Sequence, residues 1–249
     1  MKIILPFFLL AISFSVKAQD DEPVYVFDAN WKPSNVKHAH YLLHRYQIND
    51  TCWQWDFYNF MGPLIKSEQY RDENGKELNG VSRYFNMNGI NDSVTTFHKG
   101  KRNGDSWTLS DDSMKLKSKY IYRNDSLIEV VDLDKLKKDS ANSGKEGIES
   151  EYPGGISAWY RYLSKNLRYP DRAVSAEKQG SVIVGFVIDI YGNVIDPYIA
   201  RSVEYSLDKE ALRIIKGSGG WLAASQNGVN VKSYKRQPIN FRLEVNNKR

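Results

Sequence analysis

The residues of this chain that could do chemistry are four histidines, one cysteine and a scatter of acids. His38, His40 and His44 form H-x-H-x-x-x-H, and on a helix His40 and His44 would share a face as zinc ligands do. The alternating text around them favours a strand instead, with His38 and His40 on one face and His44 further along. Surface histidines are therefore the expectation, and no metal site is assigned. A Ser–His or Cys–His nucleophile needs a histidine beside Cys52 or a suitable serine. Residues 151–249 contain neither His nor Cys, so that chemistry cannot be built there. Asp189 and Asp196 flank a turn as a carboxylate pair, but turn-end acids are far more often caps or solvated groups than an acid/base couple. Trp53, Trp55, Phe57, Tyr58 and Phe60 would suit carbohydrate stacking, yet their spacing reads as core and cross-strand pairs. Gly217–Gly220 follows a helical pattern rather than preceding one, so it is no phosphate cradle. No catalytic residue and no cofactor is assigned, and the chain is not expected to be an enzyme.

The elements nearest these residues are clearest after residue 150. Ser181–Ile190 alternates so that Val182, Val184, Phe186, Ile188 and Ile190 share one strand face. Gly192-Asn193 supplies a tight turn, and Val194 begins a returning strand, which makes a hairpin. Pro197 cannot donate to a ladder, so the returning strand belongs at an edge or carries a bulge. Before the hairpin, Ile156, Trp159, Tyr160, Leu163 and Leu167 fall at helical spacing, and Pro170 ends that helix near Arg168. Asp171–Ala176 adds a further turn. After it, Ser206–Lys216 reads as a helix capped by Ser206, with Leu207, Ala211, Leu212 and Ile215 inward and Gly217 as its stop. In Pro238–Val245, Ile239, Phe241, Leu243 and Val245 face one way and Asn240, Arg242 and Glu244 the other. The proline-free, most apolar strand 181–190 should be central, leaving the Pro197 and Pro238 strands as edges.

The fold class is α+β. Residues 151–249 form an α-β-β-α-β domain, a three-stranded antiparallel sheet with two helices, preceded by a β-rich hairpin-repeat domain over 37–131. Residues 19–36 read as an extended lead-in and 132–150 as a charged linker with a short helix at Leu133–Lys138. Within the first domain, G-K then N-G precedes an aromatic strand twice, at Gly75–Gly80 and Gly100–Gly104, a period of about 24 residues. Met1–Ala18 reads as a cleavable signal peptide: a basic start, the apolar run Ile3–Val16, and small residues before Gln19. That run is shorter than the roughly 20 residues of a comfortable membrane span. Removing Lys2 and Lys17 lowers the formal charge from +5 to +3, which argues against nucleic-acid binding. Cys52 has no disulfide partner and is expected to be buried.

Residues 152–245 resemble the C-terminal domain of TonB-type energy transducers, in the form common in Bacteroidetes. The text that carries this is Y-P-G-G (152–155), N-L-R-Y-P (166–170) with Ala173, and G-S-V-I-V-G-F-V-I-D-I-Y-G-N-V-I-D (180–196). It continues with S-L-D-K-E-A-L (206–212), Trp221, Asn227-Gly228 and P-I-N-F (238–241). Residues 57–127 are loosely similar to MORN-like repeats. The TonB resemblance implies a periplasmic domain to which the TonB box of an outer-membrane transporter adds as a strand. The accepting edge would be the last strand, made of Ile239, Asn240, Phe241, Arg242, Leu243 and Glu244, with Lys235 beside it. The chain departs from the family in having a cleavable signal, no Pro-rich rod, and Trp221-Leu222-Ala223-Ala224 where the family often has proline. These departures bear on force transmission rather than on binding. Two other readings stand beside it: an envelope scaffold that self-associates as a homodimer, and a hydrolase or metal-binding protein acting through residues 37–131. The expected mature protein begins at Gln19 and is soluble in the periplasm, which intact mass after cell fractionation checks. An uncleaved, inner-membrane species would mean the apolar run is an anchor.

Overall fold

The computed structural model describes residues 23–110, 114–135, 138 and 147–243. The chain divides into two compact units, one of Met1–Met87 with Asn91–Asp132 and one of Asn88–Ile90 with Leu133–Arg249. The signal-peptide expectation falls outside the described residues, as do Glu244 and Val245.

In the first unit, short alternating segments separated by Gly, Asn and Asp turns build a single nine-stranded antiparallel sheet in sequential order. Its strands are β1 (Val24–Phe27), β2 (Tyr41–Asn49), β3 (Cys52–Asn59), β4 (Leu64–Tyr70), β5 (Gly80–Phe85), β6 (Asn91–His98), β7 (Lys101–Leu109), β8 (Leu116–Arg123) and β9 (Ser126–Val130). The lead-in is thus more than an approach: β1 pairs with β2 from Val24↔His44 to Phe27↔Tyr41, because Val24, Val26 and Phe27 bury when it does. The core on one face holds Phe27, Leu43, Trp55 and Phe57, with Trp53, Tyr70 and the stacked pair Trp31–Tyr41 (4.0 Å) against it. The two G-K…N-G stretches touch: Gly100 N donates to Leu78 O (2.8 Å) and Lys99 N to the Asn79 side chain (3.4 Å). One connection further on, Asp125 accepts from Arg102 N (3.0 Å) and Nε (3.2 Å).

The second unit contains β10 (Gly147–Ile148), α1 (Gly155–Asn166), α2 (Asp171–Ser175), β11 (Gly180–Ile188), β12 (Val194–Arg201), α3 (Tyr205–Lys216), β13 (Ala224–Gln226), β14 (Val229–Val231) and β15 (Ser233–Phe241). Its main sheet runs β12-β11-β15, so the apolar strand is central as its composition requires. Val182, Val184, Phe186 and Ile188 are buried on one face, where Leu207, Ala211, Ile214 and Ile215 of α3 meet them. Ile190 is 38% exposed, so the alternating face ends one position sooner than its pattern. A second sheet, β10-β13-β14, was not legible, and it draws the end of the expected linker into the unit.

Three local readings change. In α1 only Trp159 is buried, while Ile156 and Tyr160 are 61% and 62% exposed. The helix is turned so that Trp159 joins Tyr152, Tyr162 and Trp221 in an aromatic cluster with centroids 5.2–5.7 Å apart. The cap of α3 is Glu204, not Ser206; its carboxylate accepts from Ser206 N (2.8 Å) and Oγ (2.6 Å). Glu204 is fully buried, and Arg172 Nε donates to its other oxygen at 2.6 Å, which neutralises it. On α3, Ile214 rather than Leu212 completes the buried face.

Trp221 fastens the hairpin turn to this core. Its N donates to Gly192 O (3.0 Å), its ring stands edge-on to Phe186 at 5.3 Å, and a Cβ on Gly192 would lie 2.0 Å from Trp221 O. At the other end of the sheet, Phe241 is 2% exposed and edge-on to Tyr169 at 5.7 Å. Phe241→Ala should therefore cost about 3–5 kcal/mol and lower Tm clearly. An unchanged melting temperature would put the ring outside the core.

Candidate peptide-docking edge

The edge is built from backbone direction. Across the hairpin, Asp189 N donates to Asn193 O (3.0 Å), so odd-numbered residues of the central strand turn their polar groups toward β12. Even-numbered residues must then bond β15. The register Val182↔Ile239, Val184↔Gln237, Phe186↔Lys235 and Ile188↔Ser233 makes the odd residues of β15 the inward-bonding set. Tyr234, Arg236, Pro238 and Asn240 turn their backbone groups away from β11. Pro238, which has no N–H, falls at an outward position, where an edge strand tolerates it.

Side chains follow the same alternation. Ile239 is fully buried and Phe241 nearly so, hence these two hold the strand in place and leave docking to its backbone. Asn240 and Arg242 are exposed; Leu243 is half-buried and its N donates to Gln179 Oε1 (3.4 Å). Lys235 lies on the inner side, 3.8 Å from the largely exposed Glu149. Glu244 lies outside the described residues. The strand spans Ser233–Phe241 rather than starting at Pro238, which moves its centre toward the N-terminus. Sequence reading missed Tyr234 and Arg236, because S-Y-K-R-Q carries no apolar alternation. The available signal was the length of its partner, since an unbroken apolar strand needs an equally long neighbour on each side.

The other candidates resolve as follows. Asp189 is a turn cap: its carboxylate accepts from Tyr191 N (2.8 Å), Asn193 N (2.8 Å) and Asn193 Nδ2 (2.9 Å), and these bonds, the Asn193 side chain foremost, hold its pKa below the usual value. His38 ends a short 3-10 helix, His40 is exposed and His44 is buried in β2, contrary to a surface placement. Among the described residues no three His, Cys, Asp or Glu side chains form a group that could hold a metal ion. Cys52 is half-buried rather than buried, and that desolvation raises its thiol pKa. Trp55 and Phe57 are core, while Tyr58 is buried on the opposite face.

One polar row was missed. Register sets His44, Asp56, Ser67 and Arg83 side by side across β2–β5. Asp56 stands between the histidine and the serine, whereas a nucleophile triad needs the histidine in the middle. Gln54 Nε2 donates to Asp56 (3.0 Å) and to Ser67 Oγ (2.7 Å), so the row is a bonded buried network.

Residues 165–243 match the family model of the Gram-negative bacterial TonB protein C-terminal. The matched stretch runs from the end of α1 through the whole β12-β11-β15 sheet and α3, and it supports a TonB C-terminal type for this part of the chain. No curated protein and no solved structure matches the chain.

Burial raises the Asp56 pKa, against the opposing effects of His44, Ser67, Gln54 and Arg83. A carboxyl that holds its proton more tightly when folded stabilises the fold below its unfolded pKa, and that contribution is lost as pH rises through the folded value. Asp56→Asn should therefore gain stability relative to the parent as pH rises from about 4 to about 7. A pH-independent difference in denaturant midpoint would show that burial leaves this carboxyl unshifted.

Proposed function

We propose that this is a periplasmic protein whose C-terminal unit takes the extended TonB-box segment of an outer-membrane transporter onto the outward edge of β15, in TonB-dependent transport. The observation that carries the reading is the free side of a regular ladder: β15 bonds β11 over its whole length and has no second strand neighbour among the described residues. β-Augmentation needs such a side, since affinity comes from main-chain bonds to the incoming segment. The family match supports the partner class. Among the described residues no helix is long and apolar enough to cross a membrane, and the reading includes export by a cleaved signal in place of an anchor. In this reading the domain is of the Bacteroidetes form, the first unit is a stack of MORN-like hairpins, and no enzymatic step or cofactor is involved.

A scaffold that pairs with a second copy is the other reading, and one observation favours it. All of β9 is exposed, with Leu127, Ile128 and Val130 at 50%, 54% and 63%, at the end of the nine-stranded sheet. Such an edge invites strand pairing.

Proline substitution tests the docking reading. The Asn240 N–H turns outward, so Asn240→Pro should abolish binding of a synthetic TonB-box peptide while leaving Tm within a few degrees. The Ile239 N–H bonds β11, so Ile239→Pro should unfold the unit instead. Unchanged peptide affinity in Asn240→Pro would move docking to another edge.

A further inference from the structure

The edge strand carries one sign of charge. Between Lys232 and Arg242 the sequence KSYKRQPINFR holds Lys232, Lys235, Arg236 and Arg242 and no acid. Lys232, Arg236 and Arg242 are exposed, and Lys235 keeps about a quarter of its side chain accessible, its 3.8 Å neighbour Glu149 being 90% exposed. The pattern continues across the sheet. Register sets Arg201 beside Ile183 and Pro238, and Tyr198 beside Gly185 and Arg236, on the outer face. The sole acid of β12, β11 and β15 is Asp196, at the irregularity of β12 and so on the far side of β11 from β15.

A strand added along β15 places every second side chain on that outer face, about 5 Å from its cross-strand neighbours. There it meets Tyr234, which is 84% exposed, then Arg236 and Asn240, with Lys232 and Arg242 at the two ends. Its other side chains point to the inner side, alongside Ile239 and Phe241, which are buried there. A carboxylate on the outer face is drawn to the cations, and a lysine there is repelled. The same charges bear on self-pairing. Two antiparallel copies of β15 would set four cations against four, and cations on an edge strand are a device that keeps edges apart.

We infer that the segment docking on β15 is acidic at alternate residues, with its carboxylates on the Tyr234–Arg242 face and apolar side chains inward. The inference rests on the edge-docking reading above and adds the chemistry of the partner. Pro238 shapes the same partner, since a carbonyl of the incoming strand that faces it finds no donor and stays with water.

The test uses the whole chain from Gln19 and three fluorescent decapeptides in which valine alternates with glutamate, threonine or lysine. The glutamate peptide should bind about tenfold more tightly than the threonine peptide at low salt, with the lysine peptide weakest, and high salt should erase most of that order. Arg242→Glu should remove most of the glutamate preference while leaving Tm unchanged, because the side chain is exposed beyond the strand's last residue. Equal affinity for glutamate and threonine peptides, both lost in Asn240→Pro, overturns the acidic partner and leaves edge docking standing. Failure of all three peptides to bind overturns edge docking as well. A salt-insensitive dimer in sedimentation that Asn240→Pro dissolves overturns both in favour of a second copy.

Discussion

The second unit depends on one constraint: the backbone of β11 must be bonded on both sides because it is buried on both. A strand with Val182, Val184, Phe186 and Ile188 at or near zero exposure cannot leave amides to water, so it needs two neighbours. Those neighbours each have one side left over, and the sequence treats the two differently. β12 is made irregular by two shifts of register and by Asp196 at φ 51°, with Pro197 next to it. β15 stays in register from Ser233 to Phe241 and carries a single interruption at Pro238. A regular outward ladder therefore exists on one side only.

Around that sheet, packing and polar contacts serve alignment more than they add independent stability. The half-buried Arg172 pairs with the fully buried Glu204 where α3 begins, and its attraction offsets the desolvation cost of that carboxylate. The Trp221 cluster holds α1, the hairpin turn and the stretch after α3 to one another. Leu222 also pairs with Glu151 through two backbone bonds of 2.8 and 3.1 Å, so this stretch is anchored without a proline. Departure from the family's usual text there costs the fold nothing visible.

What was legible in the sequence was whatever one residue's pattern decides alone. Alternation placed the inward face of β11, and Pro197 marked β12 as an edge. The helix near 206–216 was readable from its spacing, but its cap was not, since Glu204 lies outside the helical pattern and its buried carboxylate is paired by Arg172, 32 residues away. The start of β15 was hidden because its first residues are polar and become strand only by pairing with β11. For α1 the spacing permitted two faces, and the aromatic cluster chose the one with Trp159. His44 and Asp56 sit at positions whose parity is plain, yet which face of a wide sheet is covered depends on strands far away in sequence. β10, β13 and β14 are too short for any periodicity to reveal.

The first unit has a mechanical consequence. Every strand from β1 to β9 is bonded only to strands adjacent in the sequence. A load drawn through the two ends of such a ribbon meets one hairpin at a time, so the bonds break in series rather than in parallel. Peeled out fully, Val24–Val130 would extend to roughly 350 Å at the reach of an extended chain. The ties Lys99–Asn79 and Arg102–Asp125 would act as successive catches along the way. Under such a load the unit would lengthen in steps, each able to re-form from neighbours that never separate far along the chain.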